Sequence, residues 1–154
     1  MKLLALSGSL RRTSYNTAAI QALKRLAPTS IEIVIGDISS LPLFNPDIEN
    51  NDIPAVQALK SNLAQASGLI IASPEYAHGI SGPMKNALDW LVSGVEFPYK
   101  PIMLVNTSPR ASHALNALIE VITTMSGDII ESASVTIPLL SSELDADGIV
   151  ENRE

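Results

Sequence analysis

The sequence predicts an α/β protein, a three-layer sandwich in which helices cover both faces of a five-stranded parallel sheet. Two observations carry that prediction. Short aliphatic runs alternate with segments whose apolar residues recur at helical spacing, and the alternation continues along the chain. The most apolar run, Leu69-Ile70-Ile71-Ala72, has no charge beside it, as expected of a strand buried on both faces at the centre of a parallel sheet. The length of 154 residues suits one core. No repeat, low-complexity tract or linker divides it, so residues 1–154 are expected to form a single domain.

Taken in order, residues 2–6 read as a buried strand. Residues 17–26 read as a helix with Ile20, Leu23 and Leu26 on one face, stopped by Pro28. In residues 31–35, Ile31, Ile33 and Ile35 flank the charged Glu32. One face of this strand is therefore wetter, which suits a sheet edge. The stretch 37–52, with Pro42, Asn45-Pro46 and Asn50-Asn51, is long for a connection and suggests a functional or interface segment. A second helix spans about 54–66, and the central strand 69–72 follows. Pro83 suits a first helical turn, after which Met84, Ala87, Leu88 and Leu91 mark a buried stripe. Residues 102–105 read as strand four, 114–125 as a helix, and 130–137 as strand five at the other edge. In that last segment Ala133, Val135 and Ile137 alternate with Ser132, Ser134 and Thr136.

Composition excludes several classes of function. With no cysteine there is no disulfide framework, thiolate nucleophile or Cys-ligated metal, so redox chemistry would need a cofactor. A net charge of -6 opposes sequence-independent nucleic-acid binding. The apolar runs are too short to span a bilayer, and residues 1–7 lack a signal-peptide core. A soluble cytoplasmic protein with no membrane partner is the expectation. No His/Asp/Glu spacing suggests a metal.

Parallel sheets bind ligands at the carboxyl ends of their strands. The loops to inspect are therefore 7–16, 73–82 and 106–113. The first, SGSLRRTSYN, runs from a strand end into a helix N-terminus, where free N–H groups and the helix dipole suit an anion. It has neither GxxxxGK[ST] nor GxGxxG, so a mononucleotide phosphate fits better than ATP or a dinucleotide. Equally open is a solvated connection in which Ser14 or Asn16 caps the helix.

The second loop narrows the choice. Pro74-Glu75-Tyr76, Gly79, Lys85-Asn86 and Asp89-Trp90 resemble the PEYxxGxxxxxKNxxDW signature of the NADPH-dependent FMN reductase family. Gly8-Ser9-Leu10-Arg11 with Ser14 and Asn16 is similar to its GSLRxxSxN loop, and residues 41–47 are similar to its loop after strand two. The resemblance covers about residues 1–148. It implies a flavodoxin-like fold with strand order 2-1-3-4-5, non-covalent FMN, and NADPH or NADH as co-substrate. Free flavin, quinones, azo dyes or metal oxyanions would be the acceptors, and dimers or tetramers the assembly. An electron carrier or a flavin-free interaction domain are the alternatives. The 4% aromatic content weakens the carrier, which would be expected to sandwich its ring between aromatic residues.

Carried over by position, the resemblance makes Ser9, Arg11, Ser14 and Asn16 a phosphate and ribityl cradle, with Arg12 and Thr13 solvated. Pro74, Glu75, Tyr76 and Gly79 would line the flavin ring, mainly through backbone groups. Glu75 reads more simply as a surface carboxylate or intersubunit ion pair, and His78 as exposed. Lys85, Asn86, Asp89 and Trp90 read as helix-packing and subunit-contact residues. No residue is expected to act as acid, base or nucleophile, because the flavin carries the chemistry.

Two departures from the family pattern follow. The loop after strand four has Ser108 and Arg110 where relatives carry a glycine pair. These two would be a ring contact and a charge partner, or else Arg110 is solvated and Ser112 caps the next helix. The segment Asp145-Ala146-Asp147-Gly148 implies a fifth helix that is short or absent. That would leave Leu69, Ile71 and the face of Met103 and Val105 needing cover.

Overall fold

A computed structural model describes residues 1–152. The main sheet contains β1 (Lys2–Ser7), β2 (Glu32–Ile35), β3 (Gly68–Ala72) and β6 (Pro101–Asn106), with β7 (Asp128–Ile129) and β8 (Val135–Thr136) at its far edge. Its order is β2-β1-β3-β6-β7, with β8 also on β6, and every pairing is parallel. Counted as main-sheet positions this is the expected 2-1-3-4-5 order. β4 (Glu75–Tyr76) and β5 (Gly79–Ile80) form a separate antiparallel hairpin. The helices are α1 (Tyr15–Leu26), α2 (Pro54–Gln65), α3 (Gly82–Leu91), α4 (Ser112–Thr124) and the short α5 (Ala146–Glu151).

Helix boundaries follow their caps. The N-terminus of α1 lies two residues earlier than the expected Thr17, because Ser14 is the N-cap and its Oγ accepts from Thr17 N. It ends at Ala27, whose extended backbone is what a following proline enforces. Pro83 occupies the first turn of α3 as expected, with Ser81 as its cap.

Two apolar clusters sandwich the sheet. Leu4, Leu6, Leu69, Ile71, Ile102 and Leu104 pack against Leu59, Leu63, Met84, Leu88, Leu118 and Ile122 of α2, α3 and α4. Ala5, Ile70, Ala72 and Val105 face the opposite way, onto Ala19 and Ile20 of α1. Leu69 and Ile71 therefore do not share a face with Met103 and Val105, contrary to the parity expected from sequence. Nor is the second face bare. Leu139, with Ile137, Leu144 and Ile149 around it, covers Ile70 and Val105, which are 3% and 2% exposed.

Strand five also differs from expectation. Residues 130–134 leave the sheet as a turn, with Ala133 N and Ser134 N both donating to Ile130 O. On that side of β6 only the short β7 and β8 pair with it. Between them Leu104 N, which a continuous strand would satisfy, donates to Ser134 Oγ at 3.0 Å. A buried strand N–H needs a partner, and here a hydroxyl replaces the carbonyl. Among the described residues, no helix is long and apolar enough to cross a membrane.

Candidate functional site

The carboxyl ends of β1, β3 and β6 open onto a cleft of about 280 Å³. Three loops build it. From the first come Ser9, Arg11, Ser14 and Asn16; from the second Pro74, Glu75 and Tyr76; from the third Ser108. Gly79 and Arg110 are not among its lining residues. Gly79 lies on the far strand of the hairpin, paired with Tyr76, and Arg110 is an exposed residue of the third loop. The cleft also takes in Thr13, expected to be merely solvated, and Tyr15, Ser73, Asn106, Thr107, Ala111 and Leu140, which the sequence reading did not select. Ser73, Asn106 and Thr107 could have been found by extending the expected strand ends by one or two residues. Leu140 carries no local signal, since it arrives from beyond the broken edge strand.

Hydrogen bonds knit the loops together. Gly8 N donates to Ala72 O at 2.7 Å, and Ser81 Oγ donates to Gly8 O at 2.6 Å while accepting from Met84 N. A Cβ on Gly8 would lie 2.5 Å from Ser73 Oγ and 2.8 Å from Ser81 Oγ. Glycine is required there by close packing. Thr107 Oγ1 donates to Asn16 Oδ1 at 3.2 Å, tying the first loop to the third through two buried side chains. Ser9 Oγ accepts from Arg11 N at 3.3 Å.

Ser14 thus both caps α1 and lines the cleft, so the two readings of the first loop coexist. Ser9, Ser14 and Asn16 are polar and nearly buried at 9%, 8% and 6% exposure. The Arg11 side chain is exposed and, among the described residues, has no hydrogen bond or carboxylate partner. A helix N-terminus, converging hydroxyls and an uncommitted guanidinium form a donor set suited to a phosphate ester. The residues present fit the FMN phosphate in chemistry.

The hairpin forms the facing wall. Its two-residue turn holds Ala77 and His78 at φ 49° and 60°, the left-handed region that such turns demand. Gly79 needs no such freedom, and a Cβ there would make ordinary contact with Tyr76 O at 3.7 Å. His78 is exposed as expected, and its ring stacks on His113 with centroids 4.1 Å apart. Glu75 is a helix partner rather than a surface carboxylate, accepting from Ala114 N at 2.8 Å. Ser112 does not cap α4, because it is the first helical residue and the N-cap is Ala111.

The signature residues of α3 lie outside the cleft. Asn86 Nδ2 and Trp90 Nε1 both donate to Pro42 O, at 2.9 and 2.8 Å, and Asn86 Oδ1 accepts from Phe44 N at 2.8 Å. Phe44 meets Trp90 edge-on with ring centroids 5.1 Å apart. Lys85 and Asp89 form an i,i+4 ion pair at 2.6 Å on the helix surface. Helix packing is the role these contacts show.

The family model described as NADPH-dependent FMN reductase matches residues 1–138. The chain belongs to that family. It is 39% identical over 111 residues to an NAD(P)H-dependent FMN reductase of Pseudomonas aeruginosa, a match covering 70% of this chain and 60% of the relative. A quinone reductase of Escherichia coli K12 is 34% identical over 113 residues, again 70% of this chain and 60% of the relative. The matched segment is thus about three-fifths of those relatives' length. Among solved structures, the flavoenzyme NAD(P)H:(acceptor) oxidoreductase of Paracoccus denitrificans superposes with a TM-score of 0.84 at 25% identity. That match covers 96% of this chain and 84% of the other. The FMN reductase family fold is therefore established over most of the chain.

Proposed function

We propose that this family member binds FMN in the cleft and acts as an NAD(P)H-dependent oxidoreductase that reduces free flavin or quinones. The observation that carries the reading is the donor set at the N-terminus of α1. Ser9, Ser14 and Asn16 are nearly buried beside the uncommitted Arg11, and they face the Pro74–Tyr76 wall across the cleft. The relatives' names support it: FMN reductase in one case and quinone reductase in another.

Bound FMN would supply the electron chemistry, accepting a hydride from NADPH or NADH and delivering electrons to an acceptor. The chain's part is to hold and orient. Ser9, Arg11, Ser14 and Asn16 would fix the phosphate and ribityl chain. Pro74, Glu75, Tyr76 and Ser108 would shape the ring site, with Gly79 and Arg110 at its periphery. The sequence offers no second nucleotide fingerprint, so NAD(P)H and acceptor would use the open cleft in turn.

The test is to add FMN to the purified protein, follow its visible spectrum and fluorescence, and then add NADPH or NADH with a quinone. Saturable binding, NAD(P)H-dependent bleaching and parallel initial-rate lines are expected. An unchanged flavin spectrum would overturn the proposal and favour a flavin-free interaction domain. We also propose a cytoplasmic homo-oligomer. An open, largely apolar groove of about 340 Å³ between α4 and the broken sheet edge, bordered by Ile119 and Val135, supports self-association. Both side chains are more than a third exposed, at 37% and 39%.

A further inference from the structure

We propose that Glu75 is a positioning residue: it acts as the N-cap that α4 lacks and thereby fastens the hairpin wall of the cleft to that helix. The functional consequence rests on the FMN reading, whereas the fastening itself does not.

The first turn of a helix has N–H groups with no partner inside the helix. In α4 the N-cap position is Ala111, whose methyl group cannot accept a hydrogen bond, and the hydroxyl of Ser112 does not replace it. Glu75, 39 residues earlier in the chain, fills the gap by accepting from Ala114 N at 2.8 Å. A carboxylate is the favoured group there, because it meets the positive end of the helix dipole in a charge-assisted bond.

Glu75 also opens the hairpin and lines the cleft. The hairpin has little of its own to hold it. Its ladder is two residue pairs, Glu75 with Ile80 and Tyr76 with Gly79, and an isolated two-stranded ribbon is marginal. Its tip holds Ala77 and His78 in a left-handed conformation that side-chain-bearing residues adopt only when their surroundings impose it. The surroundings here are the first turn of α4. His78 stacks on His113 with planes 15° apart, and the next residue, Ala114, receives Glu75. Two successive residues of one helical turn thus hold the start and the tip of the hairpin. With its carboxylate engaged on Ala114, Glu75 serves the ligand through the position of the wall.

The experiment compares Glu75→Ala with Glu75→Gln, which keeps an acceptor oxygen but not the charge. Two readouts are used: amide exchange of Ala114 in the ligand-free protein, and the affinity for FMN and for riboflavin by flavin fluorescence. Glu75→Ala is expected to speed Ala114 exchange and weaken both flavins about tenfold, equally because the wall does not touch the phosphate. Glu75→Gln should recover to within about threefold of the parent in both readouts. Unchanged Ala114 exchange in Glu75→Ala would overturn the fastening. Restored exchange in Glu75→Gln without restored affinity would show that the charge acts on the ligand directly and overturn the positioning role. If Glu75→Ala does not fold, Glu75→Asp, one methylene shorter, replaces it with the same expectations. A parent protein that binds no flavin would sink the FMN reading, while Ala114 exchange would still judge the fastening.

Discussion

Arg11 is a residue whose chemistry the fold alone does not explain. Its backbone is anchored by Ser9 Oγ, yet its guanidinium has no partner among the described residues. A cation that stabilises nothing in the fold is available for an anionic ligand. Arg11→Ala should therefore weaken FMN about ten- to hundred-fold, as loss of one charge-assisted contact of roughly 1.5–3 kcal/mol requires. Riboflavin, which lacks the phosphate, should lose less. Equal loss for both in fluorescence titrations would place Arg11 away from the phosphate. A second residue-scale expectation concerns Asp37, whose carboxylate accepts from Ser39 Oγ at 2.6 Å, Ser40 Oγ at 2.5 Å and Ser39 N at 2.8 Å. The Ser39 hydroxyl first, then the Ser40 hydroxyl and the Ser39 N–H, hold its pKa below the ordinary value of 3.8. The bonded form is the charged one, so its stabilisation is full above the ordinary carboxylate range and is lost as pH falls through the depressed folded value. Asp37→Asn should make stability to urea slightly less pH-dependent in that acid window. The effect is small because Asp37 is exposed, and an unchanged acid limb would refute it.

At the scale of elements, the third helix organises a loop that has almost no regular structure. Residues 37–52 contain only the 3-10 turn Pro46–Ile48, capped by Asn45 Oδ1 on Asp47 N. Two side chains one turn apart on α3, Asn86 and Trp90, fasten this loop at Pro42. Asn86→Ala removes both bonds that the amide makes, leaving Phe44 N and half of the Pro42 clamp without their partners. The expected cost is about 1–3 kcal/mol, read from urea unfolding, with Trp90 fluorescence reporting a loosened Phe44 contact. A variant as stable as the parent would show that the loop is held chiefly by apolar packing. The broken edge strand illustrates the reverse dependence. The alternation through residues 132–137 has the period of a strand, but Ser134 Oγ donates to Ile130 O and accepts from Leu104 N instead of extending the ladder. Local side-chain hydrogen bonding of this kind competes with sheet pairing wherever serine is placed beside a free backbone group.

At the scale of the molecule, the covering of the sheet decides what assembly is needed. The face over β3 and β6 on the α1 side is closed by Leu139, Ile137, Leu144 and Ile149, so folding of one chain does not require a partner there. One apolar surface left open among the described residues is the groove between α4 and the sheet edge. If self-association uses that groove, sedimentation over a dilution series should show a dimer that dissociates with dilution, and Ile119→Lys should shift it to monomer without loss of cooperative unfolding. A monomer at all micromolar concentrations would remove the groove as an interface.

The layered fold, four of the five sheet positions and the three loops at the strand ends were legible in the sequence. Each rests on short-range physics: aliphatic runs, helical spacing, a proline in a first turn, and strand ends that run into helix N-termini. Periodicity does not say which chemical partner a polar group will find. That Glu75 caps a helix 39 residues later, that Thr107 reaches Asn16, and that Ser81 holds Gly8 were decided by tertiary structure. So was the loss of strand five between β7 and β8, where a serine competed for the ladder. Hydrogen bonds between segments distant in the chain become available only after the two apolar clusters have packed and set the loops side by side. The sequence determines which donors and acceptors the site contains; their pairing is fixed by the geometry of the packed sheet.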